Sequence, residues 1–352
     1  MIRAKIVGAG GYGGVGITEL LLRHPQAQIT CLVSLSDVGL LMSEVYPHLT
    51  GFCDTKILAP DDSKALEPAD VVFFATPDGV GQEFARAELA KGAKVIDYSG
   101  DFRFDNTNDY AEYARRIKRD PVHKAPELLP ESVYGLPELR RTQYRKATRL
   151  VGNPGCFAMS CLLGLAPAVK HKLVDLTSLI CDCKTAVSGA GKKPNAQFHY
   201  PARYDQMNAY RLAGHQHTIE VERDLSLLAG KPVQVTFTAQ VVPMCRGIMS
   251  CLYGTLRDGI TPQQVQEAYR EFNKDNVFVR LFDRNAAIGT VHVRGTNYCN
   301  LTVDVDERTR RLRVVSHIDN LMKGQASNAL QNMNLLFSLP ETTGLDQAGQ
   351  YP

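Results

Sequence analysis

The sequence predicts an α/β chain: a Rossmann-type doubly wound parallel sheet first, then an α+β catalytic domain whose sheet is largely antiparallel. Three observations carry this. An apolar strand, Ile2 to Val7, runs straight into Gly8-Ala9-Gly10-Gly11-Tyr12-Gly13-Gly14 and then into a helical pattern through Leu20 to Leu22. Strand and helix patterns keep alternating afterwards, as parallel βαβ units require. In the second half, strand patterns separated by turns take over. With 352 residues there is room for two domains. The expected division is 1–150, completed by a C-terminal helix over 320–352, and 151–319.

Taken in order, the glycine run comes first. Gly8 suits a tight turn, Gly10 a close backbone approach to a pyrophosphate, and Gly13 close helix packing; with Gly11 and Tyr12 they form a candidate dinucleotide loop. A glycine-rich turn without a ligand is the plain alternative. A second strand, Ile29 to Val33, ends in Ser34-Leu35-Ser36. The first carboxylate, Asp37, comes slightly late to receive ribose hydroxyls, and the Ser34 and Ser36 hydroxyls suit a 2′-phosphate better, so NADP(H) is the expected cofactor. No arginine stands there to clamp that phosphate. Val71 to Ala75 reads as a buried parallel strand, followed by Thr76-Pro77-Asp78-Gly79, a helix over Gln82 to Lys91 and a strand at Lys94 to Asp97. The loops at Thr76-Pro77 and Ser99 to Arg103 then belong along the cofactor crevice. Residues 105–147 are polar and weakly periodic, with two Arg/Lys-rich patches that read as solvated faces.

Leu150 to Pro167 organises the rest. An apolar stretch ends in Gly152-Asn153-Pro154-Gly155, a sharp turn, and a helix is expected at or near Cys156. A thiol on the first turn of a helix meets unpaired N–H groups and the positive end of the helix dipole, which favour the thiolate. The alternative is a buried structural cysteine. Strands are expected at Leu179–Cys183, Val233–Val242, Ile248–Leu256, Asn300–Asp306 and Leu312–Ile318, with a helix capped by Thr261-Pro262 and a hairpin turn over Asp306 to Arg311. The segment Asn320 to Phe337 reads as a helix that turns Leu330, Met333 and Phe337 inward. Three polar groupings remain. Ser188-Gly189-Ala190-Gly191-Lys192-Lys193 suits a phosphate or a nicotinamide carboxamide, or is a plain surface loop. His215-Gln216-His217 with Glu220 offers an imidazole base and a carboxylate; a metal site is discounted for want of a third ligand. Arg246, in Pro243 to Gly247, binds a carboxylate or phosphate bidentately or sits in solvent.

The net charge is +3 and no long basic run occurs, which gives no reason to expect nucleic acid or a membrane as partner. The first strand starts within a few residues of Met1, leaving no room for a signal peptide, and no apolar run is long enough to span a bilayer; a soluble, cytoplasmic protein is expected. Nine cysteines without a C-x-x-C pair fit reduced thiols, not a disulfide scaffold or a zinc site.

A nucleotide fold joined to an activated cysteine and a histidine admits one reaction in particular. The thiolate attacks an activated acyl group to give a thioester, a nicotinamide delivers hydride to its carbonyl, the histidine moves protons, and an aldehyde leaves. Beyond single motifs, the chain resembles the N-acetyl-gamma-glutamyl-phosphate reductase family, relatives of aspartate-semialdehyde dehydrogenase. The resemblance rests on Gly8 to Gly13, Asp97 to Arg103, Tyr134-Gly135-Leu136-Pro137-Glu138, Asn153 to Phe157, Ser188 to Lys193, His215 to Glu220, Pro243 to Ile248, Arg294-Gly295-Thr296-Asn297 and Asp319 to Gly324, in family order. It implies NADPH-dependent reduction of N-acetyl-glutamyl 5-phosphate to the semialdehyde in arginine biosynthesis, with Cys156 as nucleophile and His215 as acid/base. The expected cofactor residues then include Ser188, Gly189 and Asn320; Arg103, Asn153, Glu220 and Arg246 are expected on the acyl phosphate. The resemblance also implies a homo-oligomer, dimer or tetramer, and a last helix that returns to the nucleotide domain. The chain departs from the family at Met159-Ser160, where a threonine and a small residue are usual. Two rivals stand beside this reading. One is the sister reduction of an aminoadipyl phosphate attached to an acidic carrier protein, docked by the basic stretches Arg115 to Lys124 and Arg140 to Arg149. The other is a dinucleotide-binding regulator without turnover, in which Cys156 is incidental.

Overall fold

Seven parallel strands form the first sheet: β1 (Ile2–Val7), β2 (Ala27–Val33), β3 (Ile57–Leu58), β4 (Val71–Phe74), β5 (Lys94–Asp97), β6 (Ser132–Tyr134) and β7 (Leu150–Gly152). Their order is β3-β2-β1-β4-β5-β7-β6. The chain winds one way from β1 to β2 and β3, then returns past β1 to β4 and β5. The strand order therefore reverses at β1 and β4, and ligands of such sheets bind beyond the carboxyl ends of the strands at that reversal. β4 is Val-Val-Phe-Phe and buried throughout, because a parallel sheet is covered on both faces. In this computed structural model, which describes residues 1–351, the chain forms two units. The first is Met1–Pro154 with Gln325–Gln347; the second is Gly155–Gly324 with the chain's end from Ala348.

The first unit holds helices α1 (Tyr12–Leu21), α2 (Gly81–Ala90) and α3 (Thr107–Arg116). α3 lies in the stretch whose sequence looked merely polar. It buries only Tyr110, Tyr113 and Ala114, and it is capped by Asn106, whose side chain accepts the Asp109 N–H. Strands β3 and β6 are two and three residues long, too short to show a period.

The second sheet is mixed and mostly antiparallel: β8 (Ile180–Thr185), β9 (Asn208–Tyr210), β10 (Thr236–Val241), β11 (Ile248–Thr255), β12 (Val279–Phe282), β13 (Cys299–Asp306) and β14 (Arg311–Ile318), in the order β12-β13-β14-β11-β8-β10-β9. Only β8/β10 and β12/β13 run parallel. Alternate residues of β8 and β11 are buried, so one face of the sheet is covered. Its cover is α4 (Cys156–Lys170), flanked by α5 (His217–Ala229) and α6 (Pro262–Asp275). Every residue of α4 from Phe157 to Val169 is buried, as a helix apolar on all sides demands. α6 starts at the expected Thr261-Pro262 cap, completed by Gln264.

The C-terminal helix is shorter than expected. A π turn, Met322–Ala326, precedes α7 (Ser327–Leu336) in place of one continuous helix from Asn320. Leu330 and Met333 are fully buried, but so are Asn328, Gln331 and Asn332. α7 is a core helix of the first unit whose polar side chains are spent on hydrogen bonds, not an amphipathic surface helix.

Candidate active site

In the first unit the glycine loop has the tightness its sequence suggested. Gly8 takes φ +87°, and a Cβ there would lie 2.4 Å from the Ala75 carbonyl oxygen. Its N–H donates to the Val33 carbonyl at 2.8 Å, tying β1 to β2. Gly14, not Gly13, is the residue pressed on the turn, with a Cβ position 2.4 Å from the Gly8 oxygen; Gly13 instead faces Gln325 and Tyr98. Gly11 starts α1 with no side-chain cap, so Tyr12 and its neighbours present N–H groups at a helix start, an anion-accepting arrangement.

The serine pair lies beside this loop. The Ser36 N–H donates to Ser34 Oγ at 3.2 Å, and the two hydroxyls are 3.4 Å apart. Both lie 3.5 Å from where a Gly10 Cβ would sit. Asp37, which seemed late in the sequence, takes φ 60° and folds back, so that its Oδ2 accepts from Ser36 Oγ at 3.2 Å. Thr76 Oγ1, Tyr98 Oη and Gln325 Oε1 are buried without hydrogen-bond partners. The Thr76 methyl abuts the Gly8 position, while Tyr98 and Gln325 flank Gly13. A glycine cradle with orphaned polar atoms around it fits a dinucleotide; Pro77, which is exposed, follows the half-buried Thr76 in the loop after β4.

The loop after β5 is a buried acid cluster. Asp97 accepts the N–H and hydroxyl of Ser99; Asp101 accepts the N–H groups of Gly79 and Gln82 at the start of α2. Burial, and then the neighbouring charge of Asp101, pushes the Asp97 carboxyl well above the usual carboxylate range. Burial also raises Asp101, to about 6. Arg103 is buried and donates to the carbonyls of Asn153 (2.8 Å) and Tyr98 (2.6 Å). Asn153 Oδ1 accepts from Asn328 and Asn332 on α7, and its Nδ2 donates to the Gln325 carbonyl. Arg103 and Asn153, expected on substrate, thus also hold the turn that precedes Pro154.

The second unit begins at Gly155, and Cys156 opens α4 with Gly155 as its N-cap. The Gly155 N–H donates to Glu220 Oε2 at 2.9 Å. A Cβ on Gly155 would lie 2.4 Å from His217 Nε2 and 2.8 Å from Glu220 Oε1, so α5 presses both side chains on the residue before the thiol. His215 is buried in an aromatic cage: Phe237 at 5.1 Å, Tyr210 at 5.5 Å, Phe157 at 5.6 Å and His217 at 4.8 Å between ring centres. Its Nδ1 accepts the backbone N–H of His217 at 3.2 Å, which leaves the neutral ring's proton on Nε2. Burial raises the Tyr210 phenol, and Cys156 adds to that rise, so the thiol is within electrostatic reach of the ring that contacts His215. The π turn supplies the other wall: a Cβ on Gly324 would lie 2.9 Å from Cys156 Cβ.

A second network holds the loops. Arg246 pairs with the fully buried Asp319, Nη2 to Oδ2 at 2.9 Å, and keeps about a quarter of its side chain exposed. Asp319 also accepts N–H groups from Gly295, Leu321 and Met322. Asn320 accepts the Gly247 N–H at 2.7 Å and donates to Ser188 Oγ at 3.0 Å, joining the Ser188-Gly189 loop to the Arg246 loop. Asp37, Asp319 and Gln325 are not among the site residues the sequence marks, whereas His217 belongs to the His215-Gln216-His217 pair read as offering the imidazole base. Ser160, where the family pattern is broken, points into the core and contacts the hydroxyls of Ser250 and Ser316. Among the described residues no group of three or more His, Cys, Asp or Glu is placed to hold a metal ion, and no helix is long and apolar enough to cross a membrane.

Residues 3–147 match the semialdehyde dehydrogenase NAD-binding domain family and residues 156–320 the semialdehyde dehydrogenase dimerisation domain family. Among solved structures, aspartate semialdehyde dehydrogenase II from Vibrio cholerae, complexed with ASA, superposes with a TM-score of 0.70 at 16% identity, over 96% of this chain and 98% of that one. Aspartate semialdehyde dehydrogenase with NADP from Candida albicans gives 0.66 at 15%, over 96% and 98%. Fold and site together define an oxidoreductase of the semialdehyde dehydrogenase class, with a dinucleotide-binding domain at its N-terminus. N-acetyl-gamma-glutamyl-phosphate reductases from Desulforamulus reducens and Symbiobacterium thermophilum are 41% and 44% identical, the first over all of both chains, the second over 100% of this chain and 99% of its own. The chain belongs to the N-acetyl-gamma-glutamyl-phosphate reductase family.

Proposed function

We propose that this chain reduces N-acetyl-glutamyl 5-phosphate to N-acetyl-glutamate 5-semialdehyde with release of phosphate, using NADPH, as a step of arginine biosynthesis. The observation that carries the reading is Cys156 at the first turn of α4, with Glu220 and His217 packed on the preceding glycine and His215 caged nearby. The full-length relatives support the substrate, and the serine pair at the glycine loop supports NADP(H).

The α4 N-terminus favours the Cys156 thiolate. Its sulfur attacks the acyl carbon, the bond from that carbon to the phosphate oxygen breaks, and a thioester remains on Cys156. The chemistry that a nicotinamide would supply here is hydride donation to the thioester carbonyl. The carbon–sulfur bond then breaks, releasing the aldehyde and restoring the thiolate. Oxyanions form at the acyl oxygen in both steps. His215, the acid/base of this reading, carries its proton on Nε2 and offers it to that oxygen. Glu220 holds the Gly155 N–H and so fixes the turn that aims the thiol. Arg246, held by Asp319, offers its exposed edge to a carboxylate or phosphate of the substrate. Ser188, Gly189 and Asn320 belong to one braced loop pair, suited to the nicotinamide end of the cofactor. The name of the C-terminal domain family supports a homo-oligomer.

The test is consumption of NADPH on addition of N-acetyl-glutamyl phosphate, set beside the carrier-linked aminoadipyl phosphate. Turnover of the free substrate alone supports the assignment. Preference for the carrier-linked acyl group moves the chain to the sister reaction, and no turnover with either leaves a dinucleotide-binding protein without this activity.

A further inference from the structure

The three oxygen groups gathered at Gly10 say more about the cofactor than the serine pair alone. Gly10 is the loop position at which the backbone comes closest to a bound pyrophosphate, and the adenosine ribose of a dinucleotide lies beside it, toward the end of β2. A Cβ on Gly10 would be 2.7 Å from Asp37 Oδ2 and 3.5 Å from each serine hydroxyl. Tyr46 Oη donates to the Gly10 carbonyl at 2.9 Å and steadies the loop from its other side. Asp37 reaches this place only because its backbone is left-handed, at φ 60°. The serines suit a 2′-phosphate. A carboxylate does the opposite: it accepts hydrogen bonds from ribose hydroxyls and repels a phosphate. The segment Ser34 to Leu41 contains no lysine or arginine to offset it.

We propose that Asp37 sets the discrimination between the two dinucleotides: its carboxylate at the ribose position holds NADPH affinity below what Ser34 and Ser36 would give by themselves, and lets NADH bind as well. The inference rests on the dinucleotide reading above and specifies its ribose end. It also identifies the residue that was set aside on chain spacing alone.

Calorimetric titration of the full chain with NADPH and with NADH tests it, without substrate and without turnover. Asp37→Asn removes the charge, keeps the shape and tolerates a left-handed backbone. Asp37→Gly tolerates it too and removes the side chain altogether. Both variants should bind NADPH about tenfold more tightly, as expected for lifting one like charge at the edge of a solvated site, with the gain shrinking at high salt. In Asp37→Asn, NADH affinity should change by less than about threefold, since Asn still accepts from a hydroxyl, whereas Asp37→Gly, which leaves no acceptor at the ribose, should weaken NADH binding. A ratio of NADPH to NADH affinity that stays within about twofold of the wild type, or equal tightening of both, would overturn the assignment of Asp37. Failure of the wild-type chain to bind either dinucleotide would instead remove the dinucleotide reading itself.

Discussion

Replacing Gly324 by alanine should damage the reaction far more than the fold. The new Cβ would lie 2.9 Å from Cys156 Cβ and 3.2 Å from the Asp319 carbonyl oxygen. Ordinary carbon–carbon contact is about 3.5–4.0 Å, so the thiol-bearing residue must yield by roughly 0.6–1.1 Å. The π turn needs no positive φ at this position, and alanine is favoured over glycine in helical backbone by about 1 kcal/mol, which offsets part of an overpacking cost of about 1–3 kcal/mol. The net loss of stability, up to about 2 kcal/mol, lowers the melting temperature by only a few degrees. A misplacement of about 1 Å at a reacting centre costs up to about 100-fold, so kcat/KM should fall about 10- to 100-fold, or about 1.4–2.7 kcal/mol in the barrier. Initial rates of NADPH oxidation measure this, calorimetry should show unchanged NADPH binding, and iodoacetamide should label Cys156 more slowly. A variant with wild-type kcat/KM and wild-type labelling would refute the claim that Gly324 makes room for the thiol.

Much of the fold was legible because its elements have strong periods. The continuous Val71 to Phe74 run, the alternation along Ile248–Thr255 and the Thr261-Pro262 cap each state one structure and agree with their surroundings. What escaped was short or paid for by polar contacts. β9 and β12 are three and four residues long, and no period shows at that length. The helix at α7 was legible but its burial on all sides was not, because its Asn and Gln side chains read as a solvent face, whereas they are held by contacts such as Asn328 Nδ2 to the Gly135 carbonyl.

The site was legible where one residue type and its neighbours suffice. Gly155 ahead of Cys156 marks a helix start, and Gly8 marks a turn, from local chemistry alone. The missed residues reach the site by routes that spacing does not encode. Asp37 arrives through a left-handed backbone, Asp319 through four contacts from three loops, and Gln325 by crossing back into the first unit after Gly324. One signal was available: Asp is among the few residues that adopt φ > 0 readily, so Ser-Asp before a glycine-containing turn was a hint that the carboxylate folds back.

The acid pair gives the first of the remaining predictions. Asp97 and Asp101 are held above the unfolded carboxylate value, so the fold favours their protonated forms; their contribution is full below about pH 4 and is lost as pH rises through about 6 and beyond. The melting temperature should therefore decline from about pH 5 to about pH 8, and Asp97→Asn should flatten that decline; equal slopes in the two proteins would contradict it. His215→Asn should slow turnover by about two to four orders of magnitude while NADPH binding survives. His217→Asn should act mainly through the Gly155 turn and cost less; the reverse order would exchange the two assignments. Cys156→Ala should abolish reduction and keep cofactor binding, because no thioester can form. The structure sharpens the test of the thiol itself. Cys161, Cys181 and Cys183 are buried with raised thiols, whereas Cys245 is the exposed cysteine and Cys156 is half-buried. Accessibility alone would make Cys245 react first with iodoacetamide. The start of α4 favours the thiolate form of Cys156, and the thiolate is the reacting species, so Cys156 should overtake Cys245 despite its lower exposure and the weaker intrinsic nucleophilicity of a more acidic thiol. Peptide mapping after brief labelling gives the order directly. Cys245 reacting first, with Cys156 unprotected by added acyl phosphate, would mean that the helix start does not activate the thiol, and the covalent route would fail at its first bond.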